Sequence, residues 1–349
     1  MESPDRSTCY RAFESHDARF DGRVFVGVTS TGIYCRPVCP ARTPRFENCR
    51  FFASAAAQDA GFRPCLRCRP EIAPDFASRR GSANTVSRAL ALIADGALDE
   101  DEAGVETLAE RLGVGGRQLR RLFQRHLGAS PIAVAQTRRV LFAKQLLHDT
   151  SLPMAEVALA SGFGSIRRFN ETFRNLFGRP PRMLRHRGGS DAPARDGVTL
   201  RLAYRPPYDW SGMLAALAAR DASGREWIEA GVWHRHIDLD GLHGRVSVAH
   251  LPARNAVAVT IRVPSVKALP AIVARVRRVF DLGADIATID GHLARDPDLA
   301  PLIARRPGLR APGDWDDRGV DDPRDDAAPP AWRPWHAYAE QHLRMARHV

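Results

Sequence analysis

Apolar residues recur at helical spacing from residue 84 onward. In VSRALALIADG, Val86, Leu90 and Ile93 share one face and Gly96 closes the run, which predicts an amphipathic helix. An acidic stretch, DEDEAG, separates it from VETLAERLGVGGRQLRRLFQRHLGASP, and that pattern returns as MAEVALASGFGSIRRFNETFRNLFGRPP. Leu108 corresponds to Val157 and Gly113 to Gly162 at a shift of 49. Phe123, Gly128 and Pro131 correspond to Phe173, Gly178 and Pro181 at a shift of 50, so the repeat slips by one residue in its turn. Each copy reads as a short helix, a glycine turn and a second helix, the helix-turn-helix arrangement.

In the second helix of the first copy, Leu119, Leu122 and Phe123 are expected to face inward, leaving Arg117, Gln118, Arg120, Arg121 and Gln124 outside. In the second copy the expected inward set is Ile166, Phe169 and Phe173, and the outward set is Ser165, Arg167, Arg168, Asn170 and Arg174. Arginine fits guanine edges bidentately and asparagine pairs with adenine, so helices of this composition can read a major groove. A long helix, IAVAQTRRVLFAKQLLHD, joins the copies and would let the two recognition helices enter successive grooves.

The periodicity changes on either side. GGSDAPARDG, residues 188–197, reads as a linker. Beyond it VTLRLAY, GRVSVAHL and NAVAVTIRV alternate as strands, DWSGMLAALAAR is helical, and VKALPAIVARVRRVFDLG is a helix interrupted near Pro270, together a mixed α/β pattern. His234, His236, His243 and His250 fall there as ordinary polar residues of strands or loops. After Trp315 a run rich in Asp and Pro reads as disordered, before a last helical segment, WRPWHAYAEQHLRMARHV. No apolar run is long enough to cross a bilayer, and the opening segment matches neither a secretory signal nor a transit peptide, so a cytoplasmic location is expected.

Charge sharpens this picture. The chain of 349 residues carries a formal net charge of +11. Residues 103–190 hold fifteen Lys and Arg against five Asp and Glu, so the surplus coincides with the helical repeat. Concentrated positive charge is the footprint of a polyanion-binding surface.

Six cysteines in a cytosolic chain point to metal or catalysis rather than disulfides. Cys35 and Cys39 form C-x3-C in GIYCRPVCPAR, and Cys65 and Cys68 form C-x2-C in GFRPCLRCRPE. Two close pairs on a segment that can fold back supply four thiolates to a tetrahedral Zn2+. Cys9 and Cys49 have no close partner, and Cys49, in NCRFF, reads as a buried small hydrophobe. Arg36, Arg42, Arg45, Arg63, Arg67 and Arg69 surround the pairs. A structural knuckle needs no cationic rim, whereas a rim facing DNA phosphate does.

Three resemblances follow from these motifs. RFDGRVFVGVTSTGIYCRPVCPAR with FFASAAAQDAGFRPCLRCRPE resembles the N-terminal zinc domain of the Ada family of alkylation-damage response proteins. In that family a zinc-bound cysteine irreversibly takes a methyl group from a methylated DNA phosphate, and the resemblance implies Cys35 as acceptor with Cys39, Cys65 and Cys68 completing the zinc shell. GFGSIRRFNETFRNLFGRPPRMLR is similar to the signature of AraC-type transcription regulators. LAYRPPYDW, RVFDLGAD and RRPGLRAPGDWD resemble the N-terminal domain of AlkA-type DNA-3-methyladenine glycosylases, whose catalytic helix-hairpin-helix domain has no counterpart here.

The expected architecture is multi-domain α+β. It comprises a small zinc-bound α/β domain (1–80), an all-α double helix-turn-helix domain (81–187), the linker (188–197), a mixed α/β domain (198–315), and an acidic Pro-rich linker with a residual helix (316–349). The expected function is an alkylation sensor and transcription activator acting as a stoichiometric methylphosphotriester-to-cysteine S-methyltransferase, with Zn2+ as cofactor, double-stranded DNA and RNA polymerase as partners and no membrane. Two alternatives stand beside it: a transcription factor with a purely structural zinc knuckle, and a base-excision glycosylase.

Overall fold

The computed structural model describes residues 6–17, 20–21, 24–52, 57, 60–65, 67–68, 70, 84–99, 104–185, 197–220, 224–239, 241–316, 329–332 and 335–347. The expected linker up to residue 196, the acidic run from 317 to 328 and Arg69 lie outside the described residues.

Helix α1 (Arg6–Glu14) is followed by strands β1 (Phe25–Val28), β2 (Ile33–Cys35), β3 (Cys49–Phe52) and β4 (Arg63–Pro64), which pair in the order β3-β1-β2-β4. A tight turn joins β1 to β2, and Gly32 takes φ 63° there, a conformation that glycine adopts without a steric penalty. One face of this sheet carries a small buried cluster in which five of seven members are cysteines, beside Phe13 and Val26, and on the other face Tyr34, Ala57 and Phe62 pack with Phe25 and Phe52.

Six helices follow: α2 (Asn84–Ala94), α3 (Val105–Arg111), α4 (Gly116–Leu127), α5 (Pro131–Asp149), α6 (Met154–Ala160) and α7 (Ile166–Phe177). The repeat is reproduced closely, since α3 and α6 each have 7 residues and α4 and α7 each have 12. Only the turns differ, with residues 112–115 in one copy and 161–165 in the other, which accounts for the one-residue slip. Gly128 and Gly178 end α4 and α7 in the left-handed conformation, each donating its N–H back to the last turn. Ser130 starts α5 by accepting the N–H of Ala133 at 3.1 Å. Helix α5 is buried on several sides, because both motifs and the following sheet pack around it.

The last part is built on five antiparallel strands: β5 (Val198–Ala203), β6 (Glu226–Glu229), β7 (Val232–Leu239), β8 (Leu242–Leu251) and β9 (Ala256–Arg262), in the order β5-β9-β8-β7-β6. Helices α8 (Trp210–Arg220) and α9 (Leu269–Val279) accompany it. One face of the sheet, carrying Leu200, Val246, Val248, Val259 and Ile261, shares a continuous hydrophobic core with α9 and with Val157, Phe169 and Phe173 of the second helix-turn-helix. Helices α10 (Ile286–Leu293), α11 (Ala300–Arg305) and α12 (His336–Arg347) form a separate cluster, in which Ala339 packs among Ile286, Ile289, Leu293 and Ile303. The terminal segment therefore docks as a helix, tied by Tyr338 Oη to Asp281 at 2.6 Å.

Two elements differ from expectation. Pro270 does not interrupt a helix but stands in the first turn of α9, where its missing N–H has no intrahelical acceptor to lose. The β6–β7 hairpin was not legible because Arg235, at an inward position, breaks the apolar alternation; it is buried and ion-paired with Glu226. Among the described residues no helix is long and apolar enough to cross a membrane.

Candidate metal centre and nucleic-acid interface

The two cysteine pairs converge because their strands do. β2 and β4 run parallel with Tyr34 opposite Pro64, and the N–H of Cys65 donates to Tyr34 O at 3.0 Å, so Cys35 and Cys65 leave the sheet side by side. A turn closed by Cys39 N–H to Arg36 O at 3.1 Å brings Cys39 back. The four Sγ atoms of Cys35, Cys39, Cys65 and Cys68 lie within 4.8 Å of one another, all buried and none in a disulfide. Tetrahedral Zn–S bonds of about 2.3 Å would place sulfurs about 3.8 Å apart, so the donor set fits zinc in both geometry and softness.

The electrostatics agree. Through their mutual hydrogen bonds Cys65 is held far below the ordinary thiol range and Cys39 is lowered to about 7, while Cys35 is pushed far above it by its bonds to Cys39, Cys65 and Cys68 and by burial. Four sulfurs this close cannot all ionise unless a cation stands among them. The burial of Cys49 pushes its thiol up, and it takes no part in the cluster. It is the buried residue its setting suggested.

The sulfurs differ in their backbone partners. Arg36 N–H reaches Cys68 Sγ and Arg67 N–H reaches Cys65 Sγ, both at 3.4 Å. Among the described residues no such bond falls on Cys35 or Cys39.

The cationic rim is smaller than the sequence suggested. Arg42, Arg45 and Arg67 are exposed and Arg63 is half-buried. Arg36, expected at phosphate, is instead only 7% exposed. Its guanidinium pairs with Asp21 through both Nε and Nη2 and donates from Nη1 to Cys68 O at 3.0 Å. A buried guanidinium requires such partners, and this one anchors the second cysteine pair. The anchoring continues across the molecule: Arg205 donates to Asp21 O and lies 3.4 Å from Asp285, while Lys144 of α5 donates to Cys65 O at 2.9 Å. Asp21, Lys144 and Arg205 carried no local sequence signal, because each acts on a partner distant along the chain.

In the helix-turn-helix unit, Leu119, Phe123, Phe169 and Phe173 are fully buried and Leu122 is half-buried. Ile166 departs from expectation, being 49% exposed. It is the first residue of α7, and Phe163, whose ring lies 5.2 Å from that of Phe169, takes the inward position instead. Arg117, Gln118, Arg120, Arg121, Arg167 and Arg168 are exposed and Asn170 is half-buried. Arg120 is engaged by Glu106 at 2.8 Å, which lowers the Glu106 carboxyl. Ser165 serves as the N-cap of α7, accepting the N–H of Arg168 at 3.2 Å, so its hydroxyl has a structural duty. Ser165→Ala is expected to cost about 1 kcal/mol in a urea melt.

Comparison with known proteins follows this geometry. Residues 8–71 match the metal binding domain of Ada, residues 108–187 a helix-turn-helix domain, and residues 199–316 the AlkA N-terminal domain. The bifunctional transcriptional activator/DNA repair enzyme AdaA of Bacillus subtilis is 30% identical over 182 residues, covering 50% of this chain and 81% of that protein. The chain belongs to the Ada family. The probable bifunctional transcriptional activator/DNA repair enzyme AlkA of Mycobacterium tuberculosis is 42% identical over 313 residues, which cover 88% of this chain and 62% of that protein. This chain therefore spans less than two thirds of that relative's length. Among solved structures, the methylated N-ADA/DNA complex is 30% identical and matches 38% of this chain and 96% of its own at a TM-score of 0.19. The four clustered thiols are the zinc site of this Ada-type chain.

Proposed function

We propose that this Ada-family chain takes a methyl group from a DNA methylphosphotriester onto Cys35 and, so modified, binds promoter DNA through its paired helix-turn-helix motifs to activate repair genes together with RNA polymerase. Bound zinc keeps the cysteine sulfurs as thiolates at neutral pH. The observation that carries the choice of Cys35 is that its sulfur combines some solvent access with no backbone N–H donor among the described residues. Such bonds at Cys65 and Cys68 draw density from the sulfur, and Cys39 has no exposed surface at all. Cys35 keeps its lone pairs clear of those bonds and shares with Cys65 and Cys68 the 6% exposure that Cys39 lacks.

Its sulfur attacks the methyl carbon in line. The S–C bond forms as the C–O bond breaks, and the phosphodiester leaves as an anion. No proton moves, because the nucleophile is already ionised. Arg42, Arg45 and Arg67, exposed on the knuckle loops, supply charge for holding the backbone and the departing oxygen. The thioether does not revert, so each molecule reacts once. Methylation also removes one negative charge from the face offered to DNA, which favours tighter binding.

The test is intact-mass analysis after incubation with duplex carrying methylphosphotriesters. One added methyl, mapped to Cys35, is expected, and Cys35→Ser is expected to abolish uptake. An unmodified wild-type protein, or uptake on another residue, contradicts the reading.

A further inference from the structure

The five-stranded sheet buries one face and leaves the other open, and the open face carries an ordered set of polar groups. Arg262 of β9 stands directly opposite Arg245 of β8, and Arg245 opposite His236 of β7. The N–H of His236 donates to O of Arg225, the residue just before β6, at 2.9 Å, which carries the row to the edge strand. Arg225, His236 and Arg262 are exposed and Arg245 is half-exposed. Beside this row runs another, formed by Thr199, Thr260, Ser247 and His234 in cross-strand register. It is held by Thr199 Oγ1 to Thr260 Oγ1 at 2.9 Å and His234 Nδ1 to Ser247 Oγ at 2.8 Å.

Like charges placed directly opposite destabilise a sheet. Arg245 and Arg262 are nevertheless paired with each other and with no carboxylate among the described residues. The acids of this face, Glu229 and Asp238, stand on β6 and β7, and Asp238 lies 3.7 Å from His243. His234 is held below the ordinary imidazole range by burial first and then by the charge of Arg245, with Glu229 opposing and Arg262 adding to the shift. Three strand spacings of about 4.8 Å give the row a length of about 14 Å. That length matches about four nucleotides of one duplex strand at about 3.4 Å each. Arginines and hydroxyls together are the groups that hold DNA phosphates. The row also begins beside a DNA-binding motif: Arg262 and Val263 share a 550 Å³ groove with Glu156 and Leu159 of α6, the first helix of the second helix-turn-helix.

We propose that the open face of this sheet is a docking surface for the sugar-phosphate backbone of duplex DNA, extending the contact made by the second helix-turn-helix. The proposal rests on DNA being the ligand of that motif. It gives the AlkA-type domain a binding role that needs no base-excision chemistry.

The experiment uses the full-length, zinc-loaded protein and measures its affinity for unmethylated duplex across a salt series, with hydroxyl-radical footprinting. R245Q/R262Q is expected to reduce the slope of log affinity against log salt by about two, at about 0.9 per lost phosphate contact. It should also shorten the footprint at one end. R245K/R262K, which keeps the charge, should retain the wild-type slope. Both positions are solvent-facing, and the thermal melt and zinc content of both variants should match wild type, which separates lost docking from lost folding. An unchanged slope and footprint in R245Q/R262Q overturns the proposal and leaves the helix-turn-helix reading standing. Altered self-association at an unchanged slope assigns the face to a second copy and likewise overturns it. Failure of the wild type to bind duplex at any salt overturns both.

Discussion

Stripping zinc with a chelator is expected to unfold residues 6–70 while the helical unit from 105 to 177 stays folded. The reason is the composition of the cluster on the metal-bearing face of the sheet, in which four of the seven buried residues are the metal ligands themselves. Without a cation these thiols cannot ionise together, and Phe13 and Val26 on one face of the sheet with Tyr34, Ala57 and Phe62 on the other are too few to hold so small a unit. Structural zinc contributes about 10–16 kcal/mol in small zinc domains, so its loss exceeds anything the remaining packing can restore. The helical unit has an independent apolar core around Leu108, Leu119 and Phe123 and contains no metal ligand. Hydrogen exchange read by mass spectrometry checks this: β1 and β3 amides should lose protection on chelation while those of α4 and α7 keep it. Protected β1 amides in metal-free protein would contradict the expectation.

Replacing Asp21 by Ala should destabilise the zinc unit by about 3–5 kcal/mol, the cost of leaving a buried charge unpaired. Asp21 is 5% exposed and pairs bidentately with Arg36, itself 7% exposed, whose Nη1 supports Cys68 O. Removing the carboxylate strands that guanidinium beside the second cysteine pair. Zinc should consequently be lost at a lower chelator concentration than from wild type. Combining Asp21→Ala with Arg36→Met should recover a good part of the loss, since the buried charge is then gone as well. Competition with a chromogenic chelator reads the first effect and denaturant melts the second. A single variant as stable as wild type would show that the pair is solvated, against its observed burial.

The contrast between Arg36 and its neighbours shows where sequence reading stops. Six arginines flank the cysteines and look alike along the chain. Arg42, Arg45 and Arg67 reach solvent, whereas Arg36 turns inward, because a carboxylate fifteen residues upstream folds against it. No local pattern encodes that meeting. Ile166 teaches the same lesson on a smaller scale: its spacing to Phe169 and Phe173 is that of an inward residue, yet Ser165 caps the helix there and Phe163 fills the core. The β6–β7 hairpin escaped notice because a buried Arg235–Glu226 pair mimics a surface pattern.

The sequence alone determined the zinc ligands, the two helix-turn-helix copies with their one-residue slip, and the mixed α/β character of the last part. Each is written in short-range spacing: cysteines three or four apart, apolar residues at helical intervals, glycines where the backbone must turn left-handed. Only the tertiary structure decided that backbone N–H groups fall on Cys65 and Cys68, that Asp21, Lys144 and Arg205 brace the metal site from three separate regions, and that one sheet face stays open with its arginines aligned. Those features depend on groups far apart in the chain meeting in a low-dielectric interior or across neighbouring strands, where burial and pairing, rather than spacing, set what each side chain can do.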